Sequence, residues 1–521
     1  MEKTNYSLVK LSAGLMFTMF MMLCVLSCDK IDNPIRYGGG SKNPTVQQAV
    51  ATVINVTGAN PSDVTAALDA IVTNEAVAAA AAKGEPIKVT VAGSGVSTDA
   101  TDQTITIPQA NGANIEISFA TAPTTSNTNP LEFTASSGAA AASGSATNKL
   151  AIEMPTTTGL VITIELPKTT VVLATNGSGA VTYNKITAKT ATNTLIVNNG
   201  ITIKDLTVEG GNVLIQGGKI DNVTIAENQD VTFTVDGSSM ETINIGAGAS
   251  VGFKRTENHD IYPKIKTVKG DNERTAKFYL PRVKDSDEDI ERYLADHSGV
   301  PEPGYFPYSW TIKGIDKISN VKVLIPEVPE NEAPDIDGAD FNNVIFDNCE
   351  INFGGLYYNL QNLQWPNDNK IIIKDCTFNL GGMGFMAPNL SEDHQTATIE
   401  FNNCTFKEGI NFYQLAQWAY PDKVENGHHY TITFKFTNCK LGNTAITSSN
   451  FVFIDDEHKG LLQSWALTKY NNWIEFGPEQ YYIIDVIYQI GEDKYKAQVT
   501  HEWTEEEQWE TKELAEYVAP E

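Results

Sequence analysis

Cysteines at 349, 376, 404 and 439 follow one another at intervals of 27, 28 and 35 residues, each directly behind Asn348, Asp375, Asn403 or Asn438. Four thiols can hold a zinc ion or close two disulfides. Zinc needs four sulfurs about 2.3 Å from one centre in a tetrahedron. The flanking residues speak against that gathering. Val344–Phe353, Ile371–Leu380, Ile399–Phe406 and Phe434–Leu441 alternate apolar and polar residues into each Asn/Asp-Cys pair and again out of it. Each unit therefore reads as strand, bend, strand. Stacked units would set the cysteines in a line with steps of about 4.8 Å. A line cannot surround an ion, and Cβ atoms held at strand spacing exceed the usual disulfide separation of about 3.5–4.5 Å. The reading that follows is a row of small apolar thiols inside the corner. Asn348, Asp375, Asn403 and Asn438 then shape the bend, with disulfides as the alternative.

Other chemistry-bearing residue types are scattered. His428 and His429 are adjacent, so on a strand they point to opposite faces. Asp335, Asp337 and Asp340 surround Gly338 but miss the spacing of a calcium-binding EF-hand. Asp455 to His458 reads as a solvated turn. No phosphate-binding loop, dinucleotide fingerprint or nucleophile elbow is present. No catalytic residue, metal site or cofactor is assigned. One feature suggests a ligand. The segment Ile351–Asp368 rhymes with Ile410–Asp422, and both gather aromatic and amide residues ahead of a Pro and an Asp. Tyr358, Asn362 and Trp365 in the first, with Gln417, Trp418 and Tyr420 in the second, can pack the third face of a coil. Alternatively they form a platform, with rings stacking on sugar faces and amides bonding hydroxyls.

The elements that must position these residues follow from periodicity. Ile203–Val208, Ile220–Ile225 and Met240–Ile245 share one pattern, with Leu206, Val223 and Ile243 recurring after 17 and 20 residues. A period near 20 predicts a solenoid, whose coils bury their apolar faces only by stacking. Ahead of it, Pro61-Ser62-Asp63 opens a helix that runs through an Ala-rich stretch to Gly84. After Phe451 the repeat is lost, and Tyr481–Tyr488 with Tyr495–Trp503 read as a hairpin that covers the last open edge.

The division expected is a signal segment at 1–27, a lipidated Cys28 and flexible tether at 28–45, and an N-terminal α/β region at 46–148. A first solenoid segment follows at 149–253, then an insertion or linker at 254–318 with a short helix near Asp285–Ala295. The cysteine-repeat coils occupy 319–455 and a C-terminal β cap with an acidic tail 456–521. The fold class is mainly β.

The chain has 521 residues, with 37 Lys+Arg against 64 Asp+Glu, for a formal charge of −27. Such a surface repels nucleic acid and anionic membranes, and it favours a neutral glycan over an anionic one. Lys3 and Lys10 precede an almost wholly apolar run from Leu11 to Ser27, in the order of an export signal. An uncleaved membrane helix is the alternative, at the short end of a spanning length.

Two resemblances emerge from these residues. Val25-Leu26-Ser27-Cys28 resembles the bacterial lipobox, which implies cleavage before Cys28 and acylation of that residue. Asp29 and Asp32 close behind it resemble the surface-export signals of Bacteroidota-type lipoproteins, implying a lipid-anchored place on the outer membrane, facing outward. The Asn/Asp-Cys units resemble coils of right-handed parallel β-helices, the architecture of pectate lyases and many surface proteins. That likeness implies a fold and carries no activity. The clustered aspartates, Gly-His-Gly and Arg-x-Lys elements of polygalacturonase-like β-helices are not legible. No arginine follows Arg292, where a lyase-like site would want a basic residue. The expected function is a non-catalytic surface lipoprotein that binds a glycan or partner protein, or serves as adhesin or spacer. A β-helix carbohydrate-active enzyme is the alternative.

Overall fold

The structure is a computed structural model. It describes residues 51–55, 60–93, 95–109, 112–136, 148–190, 193–235, 239–254, 264–280, 282–284, 308–312, 315–324, 338–341, 345–352, 355–359, 370–379, 382–386, 396–407, 412–413, 428–447, 481–503 and 509–516. Two long sheets dominate these residues, each of 16 strands, and the chain alternates between them. The strand Thr194–Asn198 in the first sheet passes to Ile201–Val208 in the second, then to Gly211–Gln216 and Lys219–Ile225. Until the last strands of each sheet, a strand pairs in parallel with its counterpart one coil later, as in Leu206↔Val223 and Val223↔Ile243. This is the expected parallel β-solenoid.

Alternation explains the stacking. In Ile201–Val208 the buried side chains are Ile201, Ile203, Leu206 and Val208. In-register pairing places Leu206 on Val223 and Val208 on Ile225, so apolar columns run along the inside of the stack. A fully buried side chain of this size contributes roughly 1.5–3 kcal/mol, but only when its neighbouring coils are present.

The solenoid begins earlier than the composition suggests. Ile87–Ala92, Asn114–Phe119 and Asn148–Met154 already belong to the first sheet, and Thr104–Ile107 opens the second. The predicted helix is two helices, Pro61–Ile71 and Asn74–Lys83, broken where Thr73 caps the second through the Ala76 amide. The first lies against Thr104–Ile107 with Val64 and Leu68 fully buried. The Thr65 hydroxyl accepts from the Thr106 amide at 2.9 Å, and Ser62 Oγ donates to Asp102 at 2.5 Å. A sheet edge exposes unpaired amides; here a helix hydroxyl meets one of them.

The coils also continue through 254–318. Lys264–Lys269 and Lys277–Tyr279 carry the two ladders on to Lys317–Ser319 and Lys322–Leu324. The added residues lead instead into a third sheet of six strands: Arg282–Lys284, Tyr308–Ile312, Gly338–Phe341, Gly355–Asn359, Gly382–Met386 and Phe412–Tyr413. The helix expected near Asp285–Ala295 lies outside the described residues. At the far end Tyr481–Ile490 pairs in parallel with His428–Thr437, then turns antiparallel into Asp493–Trp503 and Trp509–Glu516. The hairpin around Gly491 is the one expected.

Candidate functional site

The Asn/Asp-Cys corner is the most regular feature of the three-sheet part. Asn320, Asn348, Asp375, Asn403 and Asn438 have φ of 58°, 52°, 55°, 55° and 53°. This left-handed conformation costs most residues roughly 1–2 kcal/mol, and Asn and Asp tolerate it best. It turns the chain from the second sheet into the first within two residues. The amides then bond along the stack. Asn348 N donates to Lys374 O at 2.9 Å, Asp375 N to Asn402 O at 2.9 Å and Asn403 N to Thr437 O at 2.8 Å. Side chains repeat the pattern, with Asn348 Nδ2 donating to Asn320 Oδ1 at 2.8 Å and Asn403 Nδ2 to Asp375 Oδ1 at 3.0 Å.

The residue after each bend points inward. Cys349, Cys376, Cys404 and Cys439 are buried and all four are free thiols. Their hydrogens go to backbone carbonyls: Cys349 to Ile318 at 3.3 Å, Cys376 to Lys374 at 3.2 Å and Cys439 to Phe401 at 3.2 Å. Cys376 Sγ also accepts from the Cys349 amide at 3.4 Å. Burial pushes the Cys376 thiol well above its ordinary range. The hydrogen bond with Cys404, together with burial, does the same at Cys439. The row is therefore the stacked-thiol arrangement, and the disulfide alternative falls. Val321 occupies the equivalent position one coil earlier, after Asn320. The corner needs a small apolar side chain rather than sulfur as such.

A second cluster was not anticipated from the sequence. Asp271 collects the Thr275 hydroxyl at 2.7 Å and the amides of Glu273, Thr275 and Ala276 at 2.8–3.1 Å. Burial opposes ionisation of this carboxyl, but those hydrogen bonds outweigh it and hold it below the usual range. The loop that results places Arg274 in the left-handed conformation at the same corner. Its guanidinium reaches along the bend ladder to within 3.5 Å of Thr377 Oγ1, while Asn272 O accepts from Asn348 Nδ2 at 3.4 Å. An Asp followed by a Thr four residues later was the available signal.

The aromatic segments start from the third sheet. Gly355–Asn359 carries Tyr358 and pairs with Gly382–Met386, which pairs in turn with Phe412–Tyr413. Leu356 is thus in register with Met383 and Met383 with Phe412. The two segments leave the same sheet two strand steps apart, a separation of about 10 Å, but their Ile-Asn-Phe starts are out of register: Ile351 corresponds to Phe406 through Phe378, and Phe412 to Leu356 through Met383. Asn362, Trp365, Gln417, Trp418 and Tyr420 lie outside the described residues, as does Cys28. Gly338 and Asp340 sit in a third-sheet strand. Among the described residues no group of three or more His, Cys, Asp or Glu side chains is gathered as for a metal ion.

No protein-family model, curated protein or solved structure matches this chain.

Proposed function

We propose that this chain is a non-catalytic surface lipoprotein, held to the outer membrane by acyl chains on Cys28, whose solenoid presents a neutral glycan or a partner protein with a binding face. The observation that carries the binding face is the third-sheet register. Two aromatic and amide-rich segments leave third-sheet strands two steps apart on one side of the stack. That distance, about 10 Å, matches two sugar rings, and Tyr358, Asn362, Trp365, Gln417, Trp418 and Tyr420 supply rings and amides to stack on and bond to them. The net charge of −27 favours a neutral ligand. The anchor rests on the lipobox-like Val25–Cys28 and the apolar run before it. A first sheet of 16 strands spans about 70 Å at one strand spacing per step, a length that suits a spacer between a membrane and a distant partner.

A glycan array on the purified chain, repeated with Trp365→Ala combined with Trp418→Ala, tests the binding face. Binding should be lost while the circular-dichroism spectrum and melting temperature stay nearly unchanged. A variant that melts many degrees lower would make these rings core, and release of reducing or unsaturated sugars by the unsubstituted chain would favour the carbohydrate-active enzyme. Cys28→Ser should abolish lipid labelling, and unchanged labelling would remove the anchor.

A further inference from the structure

The thiol row excludes tetrahedral zinc, but a line of sulfurs suits a different coordination geometry. Glu350 is in register with Thr377, Thr377 with Thr405 and Thr405 with Lys440. The Cα atoms of the cysteines that directly precede these four residues therefore stack one strand step apart, about 4.7–4.9 Å, and the sulfurs, hydrogen-bonded along the row, open to that spacing to admit an ion. Two metal–sulfur bonds of about 2.3 Å laid end to end span about 4.6 Å. We propose that adjacent thiols of this row form linear two-coordinate sites for soft d10 cations, one ion between Cys349 and Cys376 and one between Cys404 and Cys439.

Three observations support this. The four thiols are free, so none is consumed by a disulfide. Their neighbours are apolar: Phe346, Ile351, Phe378, Phe401, Phe406 and Phe436 are buried with them. The oxygens near the sulfurs are backbone carbonyls that accept the thiol hydrogens, and a soft cation prefers the thiolates to these. A dry interior also penalises net charge, and linear adducts can be neutral. Hg2+ displaces the protons of two thiols, forming two Hg–S bonds and releasing two H+. Ag+ displaces one proton, binding one thiolate and one intact thiol and releasing one H+. Neither step changes an oxidation state. Zinc gains nothing here, because its third and fourth ligands cannot reach it.

The test compares variants with equal numbers of thiols. In the full-length chain carrying Cys24→Ser and Cys28→Ser, Cys349→Ala with Cys376→Ala leaves the adjacent pair Cys404 and Cys439. Cys376→Ala with Cys439→Ala leaves Cys349 and Cys404, about two strand steps apart. Under reducing conditions, native mass spectrometry with Ag+ should find one retained ion on the adjacent pair and none on the split pair. The unsubstituted row should retain two, with X-ray absorption showing two sulfur neighbours per silver. Equal retention by the two double variants, competition by an equal concentration of Zn2+, or three or more sulfur neighbours would overturn the proposal. If neither variant folds, the absorption spectrum of the unsubstituted row decides the question alone.

Discussion

The two-sheet coils between about 157 and 254 and the three-sheet coils between 315 and 447 solve one stacking problem with different cross-sections. In the first, strands such as Gly211–Gln216 are six residues long and the coil closes in 17 to 24 residues, from Leu206 to Val223 at one extreme and Ile162 to Ile186 at the other. In the second, the first-sheet strands shrink to three, as in Lys322–Leu324 and Glu350–Asn352, and the coil takes 27 to 35. The added length goes into the third sheet and the segments that leave it. The interiors differ accordingly. Val213, Ile215, Val223 and Ile243 fill the two-sheet core, while Phe346, Phe378, Phe401, Phe406 and Phe434 fill the other. Phe378 stacks on Phe406 at 5.1 Å and Phe401 on Phe436 at 5.2 Å. A wider coil needs larger side chains to reach native packing density. The corners differ less. The two-sheet part draws on both residue types at this corner, Asn228 with φ of 56° and Gly248 with φ of 68°, while the three-sheet coils use Asn or Asp throughout their described corners.

The largest expected effect tests the aromatic core. Phe401→Asp places a charge at a fully buried position between Phe406 and Phe436, at a cost of several kcal/mol. The three-sheet coils should unfold, read by loss of protection in hydrogen exchange at 370–441, while 160–245 keeps most of its protection. Simultaneous unfolding of both parts would show that they form one cooperative unit.

Next comes the corner. Asn403→Val puts a β-branched residue at φ 55° and removes the amide bond to Asp375, for an expected loss of about 1–3 kcal/mol. Asn403→Gly should recover most of it in urea denaturation. If both variants lose equally, the side-chain ladder rather than the backbone conformation sets the corner.

Tyr183 provides a smaller test in the two-sheet core. It is fully buried, its hydroxyl has no partner among the described residues, and burial raises its pKa. Tyr183→Phe should stabilise the chain by about 1 kcal/mol or a little more. A drop in melting temperature would mean that the hydroxyl is satisfied in solution.

The smallest effect is pH-dependent. Because the folded Asp271 carboxyl lies below its usual range, its contribution is present above the unfolded value near 3.9 and fades as pH falls through the folded one. The melting difference between the parent and Asp271→Asn should therefore be widest at neutral pH and vanish in strong acid. A difference that persists at the lowest pH would assign the effect to hydrogen-bond geometry instead.

Much of this architecture is visible in the chain because a solenoid writes its period into the sequence. The Asn/Asp-Cys bends marked every three-sheet corner from 348 onward, and alternation on either side named the strands. Asn320-Val321 escaped because the apolar residue after the bend is not cysteine. The first coils escaped because they keep no fixed period: Ile115 follows Ile87 by 28 residues, Leu150 follows Ile115 by 35, and Val171 follows Leu150 by 21. The stretch 254–318 read as an interruption because its charged and proline-rich insert hides two short strands that still pair in register. The Asp271–Arg274 loop draws its partners from coils about 75 to 105 residues away, beyond what local pattern can carry. For the aromatic segments the rhyme misaligns the two units, because Ile351 belongs to the first sheet and Phe412 to the third, and the third-sheet register alone supplies their spacing.

The helix seated on the first coil gives the stack a direction in time. Each new strand pairs with one made only a coil earlier, so its partner is already present when it emerges from synthesis. Thr65 and its helix finish the first rung before the second exists, and stacking neighbours supply most of the stability of each addition. The loop to be closed differs from step to step, from 17 residues between Leu206 and Val223 to 50 between Val268 and Ile318, so the coils after 254 are the slower additions to the stack. Growth stops where Asp493–Trp503 reverses direction, since an antiparallel strand offers no register for another coil.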